Sequence, residues 1–163
     1  MNNDLLEGLL NNEEMFLLKK RSRGIVNYIV MLVSLGEERG MSFSETIDWI
    51  HNHYEERGYY DYYIHQNGYG NVSEFLSLFV EGRKLLYDRV EIFNQVPNEE
   101  YEVLTYTWYD NEPPETFFYF DFDAKKFSTY ASLLAIKNAR RLGIDLTITK
   151  ENDIERAIIK TLK

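Results

Sequence analysis

Glu102, Asp121, Asp123 and Lys125 are the residues of this chain whose types and spacing come nearest to a catalytic site. Carboxylate oxygens suit hard cations such as Mg²⁺ or Mn²⁺, and a neighbouring lysine can position a phosphate or a water. Together they point to a metal-dependent phosphodiesterase or nuclease. Their meeting requires a β-hairpin. Residues Tyr101 to Tyr109 and Thr116 to Asp123 are rich in aromatic and β-branched side chains, and Asp110-Asn-Glu-Pro-Pro-Glu115 between them suits no helix. A symmetric turn pairs Tyr109 with Thr116 and sets Glu102 opposite Asp123, Leu104 opposite Asp121, Tyr106 opposite Tyr119 and Trp108 opposite Phe117. Val103, Thr105, Thr107, Phe118, Phe120 and Phe122 then form the other, buried face.

In that hairpin, Asp123-Ala-Lys125 with an acid on the adjoining strand resembles the acidic-x-Lys element of restriction-endonuclease-like nucleases. The resemblance covers a few residues. Pro114-Glu115 departs from the pattern, because Glu115 lies eight residues from Asp123, about 26 Å along one strand. Glu102 alone would complete the site, and the strand that usually precedes the pair is missing. The competing expectation is that Lys125, Lys126 or Arg140 simply neutralises an acidic edge.

The same residues belong to a stretch with a second chemical meaning. From Val90 to Ala124 there are nine carboxylates, ten aromatic rings and no lysine or arginine. Glu99, Glu100, Glu102, Asp110, Glu112, Glu115, Asp121 and Asp123 would supply charge complementarity to a basic partner. Trp108 and Tyr109, with Tyr59, Tyr60, Tyr62 and Tyr63 from a tyrosine-dense segment, would supply contact area at small entropic cost. The leading expectation is a small acidic protein that binds and neutralises a basic, nucleic-acid-binding partner such as a nuclease or toxin. Immunity proteins and phage anti-defence proteins act in this way. The metal-dependent phosphodiesterase is the alternative, and a structural subunit of an assembly is the third.

Composition sets the outer limits. A net charge of −9 argues against direct nucleic-acid binding, whose affinity comes from lysines and arginines meeting phosphates. Residues 125–163 are nonetheless cationic, with nine lysines and arginines against four acids, so the charge is bipolar. The chain has no cysteine, which excludes disulfides, thiolate ligands and a cysteine nucleophile. His51, His53 and His65 fall close together, but His51 and His53 point about 200° apart on a helix and cannot share an ion, so no metal is expected there. Met1-Asn-Asn-Asp4 has no secretory pattern and no apolar run reaches a membrane span, so a cytoplasmic location is expected. Glycine-rich phosphate loops, Gly-x-Ser-x-Gly and His-Glu-x-x-His are missing.

These residues must be positioned by an α+β fold. Apolar spacing predicts helices over 4–20, 24–39, 43–57 and 72–93, with Ser42-Phe-Ser-Glu45 and Asn71-Val-Ser-Glu74 as capping boxes. The second of these, apolar on most sides, reads as a central helix shielded by the others. Gly58 to Gly70 reads as a loop or a short irregular helix. A β-β-α-β-α unit follows: the hairpin, a helix over 127–142 closed by Gly143, a strand over 144–149, and a last helix capped by Asn152-Asp-Ile-Glu155. A right-handed crossover would place the second and third strands parallel in a three-stranded mixed sheet. Residues 1–97 and 98–163 are expected to pack together as one compact domain.

Overall fold

The structure, a computed structural model, describes residues 14–96 and 99–162, without the side chains of 14–17 and 94. Four helices come first: α1 (Glu14–Glu38), α2 (Phe43–Glu56), α3 (Tyr59–Asn67) and α4 (Val72–Leu86). Strands β1 (Arg89–Val96) and β2 (Glu100–Tyr106) follow, then a 3₁₀ turn (Trp108–Asp110), the short α5 (Glu115–Tyr119), α6 (Ala124–Arg141), β3 (Ile144–Glu151) and β4 (Ile154–Thr161). The sheet order is β1-β2-β4-β3, and every neighbouring pair is antiparallel.

The helices before the sheet are not the four expected. The apolar spacings over 4–20 and 24–39 belong in their described part to the one helix α1, which runs through Gly24; residues 4–13 lie outside the described residues. Of the two readings of Gly58 to Gly70, loop or short helix, the structure has a helix, α3, entered through Gly58 in the left-handed conformation. The capping boxes mark true starts. Ser42 accepts from the Glu45 amide while Glu45 returns a bond to the Ser42 amide at 2.7 Å, and Asn71 accepts from the Glu74 amide.

Three segments adopt the opposite periodicity to the one expected. Val90 and Phe93 continue the spacing of α4, yet Tyr87 leaves the helical region and 89–96 becomes an edge strand paired with β2. Ile154, Ile158 and Leu162 repeat every four residues, but the burial alternates by two: Glu155, Ala157 and Ile159 face the core. Asn152, at φ +56°, turns a tight hairpin there instead of capping a helix. Thr116 to Asp123 is the third, forming α5 and a turn. The sheet is therefore four-stranded and antiparallel, with no parallel pair among the described residues, and α6 leads into a strand that pairs with β4, not β2. Pro97, where the helical and sheet regions were expected to part, lies outside the described residues; Val96 before it pairs with Glu100 after it.

One face of the sheet packs on the helices and the other is open. Val103, Ile144, Leu146, Ala157 and Ile159 form a core with Tyr60, Val72, Phe75 and Phe79. A second core joins Val26, Val30 and Val33 of α1 to Ile47, Phe117, Phe122, Phe127 and Tyr130. Helix α6 contributes to both, Phe127 and Tyr130 to one and Ala139 and Leu142 to the other. Behind it Gly143, at φ +78°, has no room for a side chain: a Cβ there would lie 2.6 Å from the Tyr69 ring.

Candidate functional site

The lysine-free stretch is organised by a buried charge at its back. Arg83 of α4 and Glu155 of β4 are 4 % and 1 % exposed and form an ion pair at 3.3 Å. Two desolvated charges are held by the bonds their remaining atoms make, and here those are partial, since Arg83 Nη2 and Glu155 Oε2 have no hydrogen-bond partner among the described residues. Arg83 donates to the Tyr87 hydroxyl and lies over the Phe79 and Tyr87 rings, while the Tyr109 hydroxyl donates to Glu155 at 3.3 Å and meets the Ser128 hydroxyl at 2.9 Å. Burial raises the Tyr87 and Tyr109 phenols far above their ordinary range, so both stay protonated. Tyr109 is fully buried by this arrangement. Next to it the Trp108 indole donates to Ser22 at 3.0 Å and to the Leu86 carbonyl at 2.9 Å, so the 3₁₀ turn is fixed to α1 and α4.

From that anchored turn the chain rises into a crest, residues 111–121. Pro114 enters α5 as its N-cap, and Phe117, 3 % exposed, wedges between Tyr109, Phe122 and Phe127 at ring distances of 5.9–6.2 Å. Thr116 donates to Asn27 of α1 at 2.7 Å. Asp121, at φ +53°, turns the chain into Asp123, which caps α6 by accepting from the Lys126 amide at 2.6 Å. Consecutive residues of one helical turn face different ways, so the wedge of Phe117 drives its neighbours outward. Phe118 and Tyr119 are 86 % and 74 % exposed and meet edge to face at 5.4 Å. Glu115 and Asp121 flank them, exposed and with carboxylates free of ion pairs and hydrogen bonds among the described residues.

The residues expected to act together are dispersed. Glu102 points from the open sheet face, opposite Phe93 and Ile158, and is held by Arg156 at 2.5 Å and Gln95 at 2.6 Å. The Arg156 guanidinium keeps its carboxyl below the usual range. Asp121 and Asp123 are not on a strand and never pair with it, because α5 replaces the second arm of the hairpin. Among the described residues no group of three histidines, aspartates and glutamates is placed to hold a metal ion, so the expected Mg²⁺ or Mn²⁺ set of Glu102, Asp121 and Asp123 does not assemble. Lys125 instead lines a cleft of about 620 Å³ between α6 and β3, with Ser128, Ser132, Ile136, Ile148 and Lys150.

The expected contact residues divide in the same way. Trp108, Tyr109 and Tyr60 are core; Tyr59 and Tyr63 are half-buried against it; Tyr62 is exposed. Asp110 pairs with Lys150 at 2.7 Å and Glu112 with Arg23, while Glu99 is exposed and Glu100 begins β2. Buried His51 bonds to the Tyr60 hydroxyl and, at 3.3 Å, to the Leu134 carbonyl, which makes it a structural link from α2 to α3 and α6.

The Bacillus subtilis (strain 168) protein named "Uncharacterized protein YxnB" is 50 % identical over 139 residues, spanning 85 % of this chain and 86 % of that protein. The chain belongs to the YxnB family. No family model and no solved structure matches it. No helix among its described residues is long and apolar enough to cross a membrane. In this YxnB-family chain Phe118 and Tyr119, the two most exposed aromatic side chains among the described residues, went unassigned as contacts by sequence reasoning, although Pro113-Pro-Glu115 is a helix-start signal that would have turned Thr116 to Tyr119 from strand to helix.

Proposed function

We propose that this protein binds a basic protein partner through the 111–121 crest, with Phe118 and Tyr119 as the anchors and Glu115 and Asp121 as the charged rim. The observation that carries it is the exposure of two adjacent aromatic rings on a turn that is fixed from behind by Phe117 and Thr116. Exposing apolar rings to water is unfavourable, and preorganised aromatic anchors within a polar rim are the usual composition of a binding hot spot. Two unpaired carboxylates beside them attract lysine or arginine and accelerate encounter, which suits inhibition of a nucleic-acid-binding enzyme or toxin as an immunity-type or anti-defence protein would inhibit it.

The test is capture from native lysate at low salt by the immobilised protein, beside Phe118→Ala/Tyr119→Ala and Glu115→Lys/Asp121→Lys variants. A basic protein should be retained by the wild type, eluted by salt, competed off by duplex DNA, and lost from both variants. Equal capture of that protein by the double-alanine variant, or retention indifferent to salt, would sink the proposal.

A further inference from the structure

Helix α1 is apolar on two sides, and the fold uses one. Ser22, Val26, Val30 and Val33 are buried against the rest of the molecule. Positions two apart on a helix point about 200° from each other, so Tyr28, Leu32 and Leu35 emerge opposite Val26, Val30 and Val33. Tyr28 is 73 % exposed, and Leu18, Leu32 and Leu35 about half. With half-buried Ile25 and exposed Arg21 they occupy 18, 21, 25, 28, 32 and 35. The steps alternate three and four, the spacing of a seam that packs on another helix. A groove of about 300 Å³ between α1 and α2, lined by Leu32, Leu35, Met41, Trp49 and Ile50, continues this seam at its C-terminal end. Sequence reading placed this helix at the centre of a bundle; the chain alone supplies half of that burial.

We infer that the missing half is a second copy of α1, packed antiparallel about a two-fold axis near residues 26 and 27. In that register Leu18 meets the partner copy's Leu35, Ile25 meets Tyr28, and Arg21 lays its aliphatic stem on Leu32. Two-fold symmetry makes each contact occur twice, as an isologous interface requires. Leu18 then enters the groove that ends at Trp49. Charge selects the direction. Lys19, Lys20 and Arg21, with Arg23 already paired to Glu112, crowd the first half of the seam, and Glu38, with Glu37 already paired to Lys126, stands at its end, so antiparallel packing brings Lys19 and Lys20 within about a turn of the partner copy's acids, whereas parallel packing stacks cations on themselves. This surface is separate from the crest and does not depend on it.

Sedimentation velocity over a range of concentrations, joined to cysteine cross-linking in this cysteine-free chain, tests it. The wild type should sediment as a reversible dimer, and Tyr28→Glu/Leu32→Glu should weaken the dimer roughly tenfold or more with the far-ultraviolet circular dichroism unchanged, since both side chains are exposed. Leu18→Cys/Leu35→Cys should oxidise to a covalent dimer; the two sites lie about 26 Å apart along one helix and cannot bridge within a copy. Leu32→Cys alone, facing Arg21, should remain uncross-linked at equal oxidant. A wild type that stays monomeric throughout, a dimer indifferent to the charged variant, or a Leu32→Cys chain that cross-links as well as the double variant would each overturn the antiparallel pair. The cross-linking arm still decides if the charged variant fails to fold.

Discussion

Trp108-Tyr109 and Phe118-Tyr119 are two aromatic pairs ten residues apart in one acidic, lysine-free stretch, and they end in opposite environments. The first pair is buried, its polar atoms bonded to Ser22, Leu86, Ser128 and Glu155. The second stands largely in solvent, its two rings meeting edge to face. Composition does not separate them. What separates them is a buried partner: the Tyr109 hydroxyl bonds to Glu155 of the Arg83–Glu155 pair, while Tyr119 is 74 % exposed. The acids sort likewise, since Asp110 and Glu112 pair with Lys150 and Arg23, whereas among the described residues the carboxylates of Glu115 and Asp121 form no ion pair, Lys126 reaching only the Asp121 carbonyl at 3.3 Å.

The contrast would break most sharply at Glu155. Replacing it with glutamine strands the Arg83 charge in the core and is expected to cost about 3–5 kcal/mol in a denaturant melt. Glu115→Gln, on the crest, should leave the midpoint where it was. Next in size, Tyr109→Phe keeps the ring but removes the hydroxyl that meets Ser128 and Glu155, for an expected loss of about 1–3 kcal/mol.

Acid should act on the anchored half alone. Burial, and then the charge of Arg141, lowers the His51 pKa below its ordinary 6.5. The unfolded chain therefore takes up a proton at His51 before the folded chain does. Its contribution to stability is intact above about 6.5 and declines as pH falls from there toward the folded value. Thermal melts from pH 8 to pH 5 should show that decline in the wild type and a shallower one in His51→Gln, with crest variants following the wild type. The smallest effect is expected for Phe118→Ala and Tyr119→Ala, which should shift stability by no more than about 0.5 kcal/mol either way. A melting loss as large as that of Tyr109→Phe would mean that the crest rings pack on something and are not held out for a partner.

Local chemistry was legible in the sequence wherever one interaction decides the conformation. Ser42 with Glu45, Asn71 with Glu74, and Gly143 at the end of α6 marked boundaries because a cap or a left-handed glycine acts within one turn. The misread segments are those where two periodicities coexist. In 154–162 isoleucines every four residues suggested a helix, but the decisive inward residue is Glu155, a charge whose burial only Arg83 makes possible. In 116–123 the aromatic residues suit a strand on propensity, and burial of Phe117 and Phe122 on Phe127 settles the helix and turn instead. The carboxylate site failed for the same reason: its pairing depended on a register that long-range packing never formed. The candidate contact residues were legible as a class, aromatic and acidic, and their selection within the class was not.

The strand order β1-β2-β4-β3 has a kinetic consequence. Each outer pair is a local hairpin, able to close in microseconds, but the central seam joins Thr105 to Glu155 across fifty residues. Its closure spans α5, α6 and β3 and carries the entropy cost of a long loop. That same closure carries Glu155 out of water toward Arg83. Pairing of β2 with β4 and desolvation of the ion pair are thus coupled, and a chain lacking that pairing would display β2 and β4 as two open edges, the form in which strands recruit other molecules instead of each other.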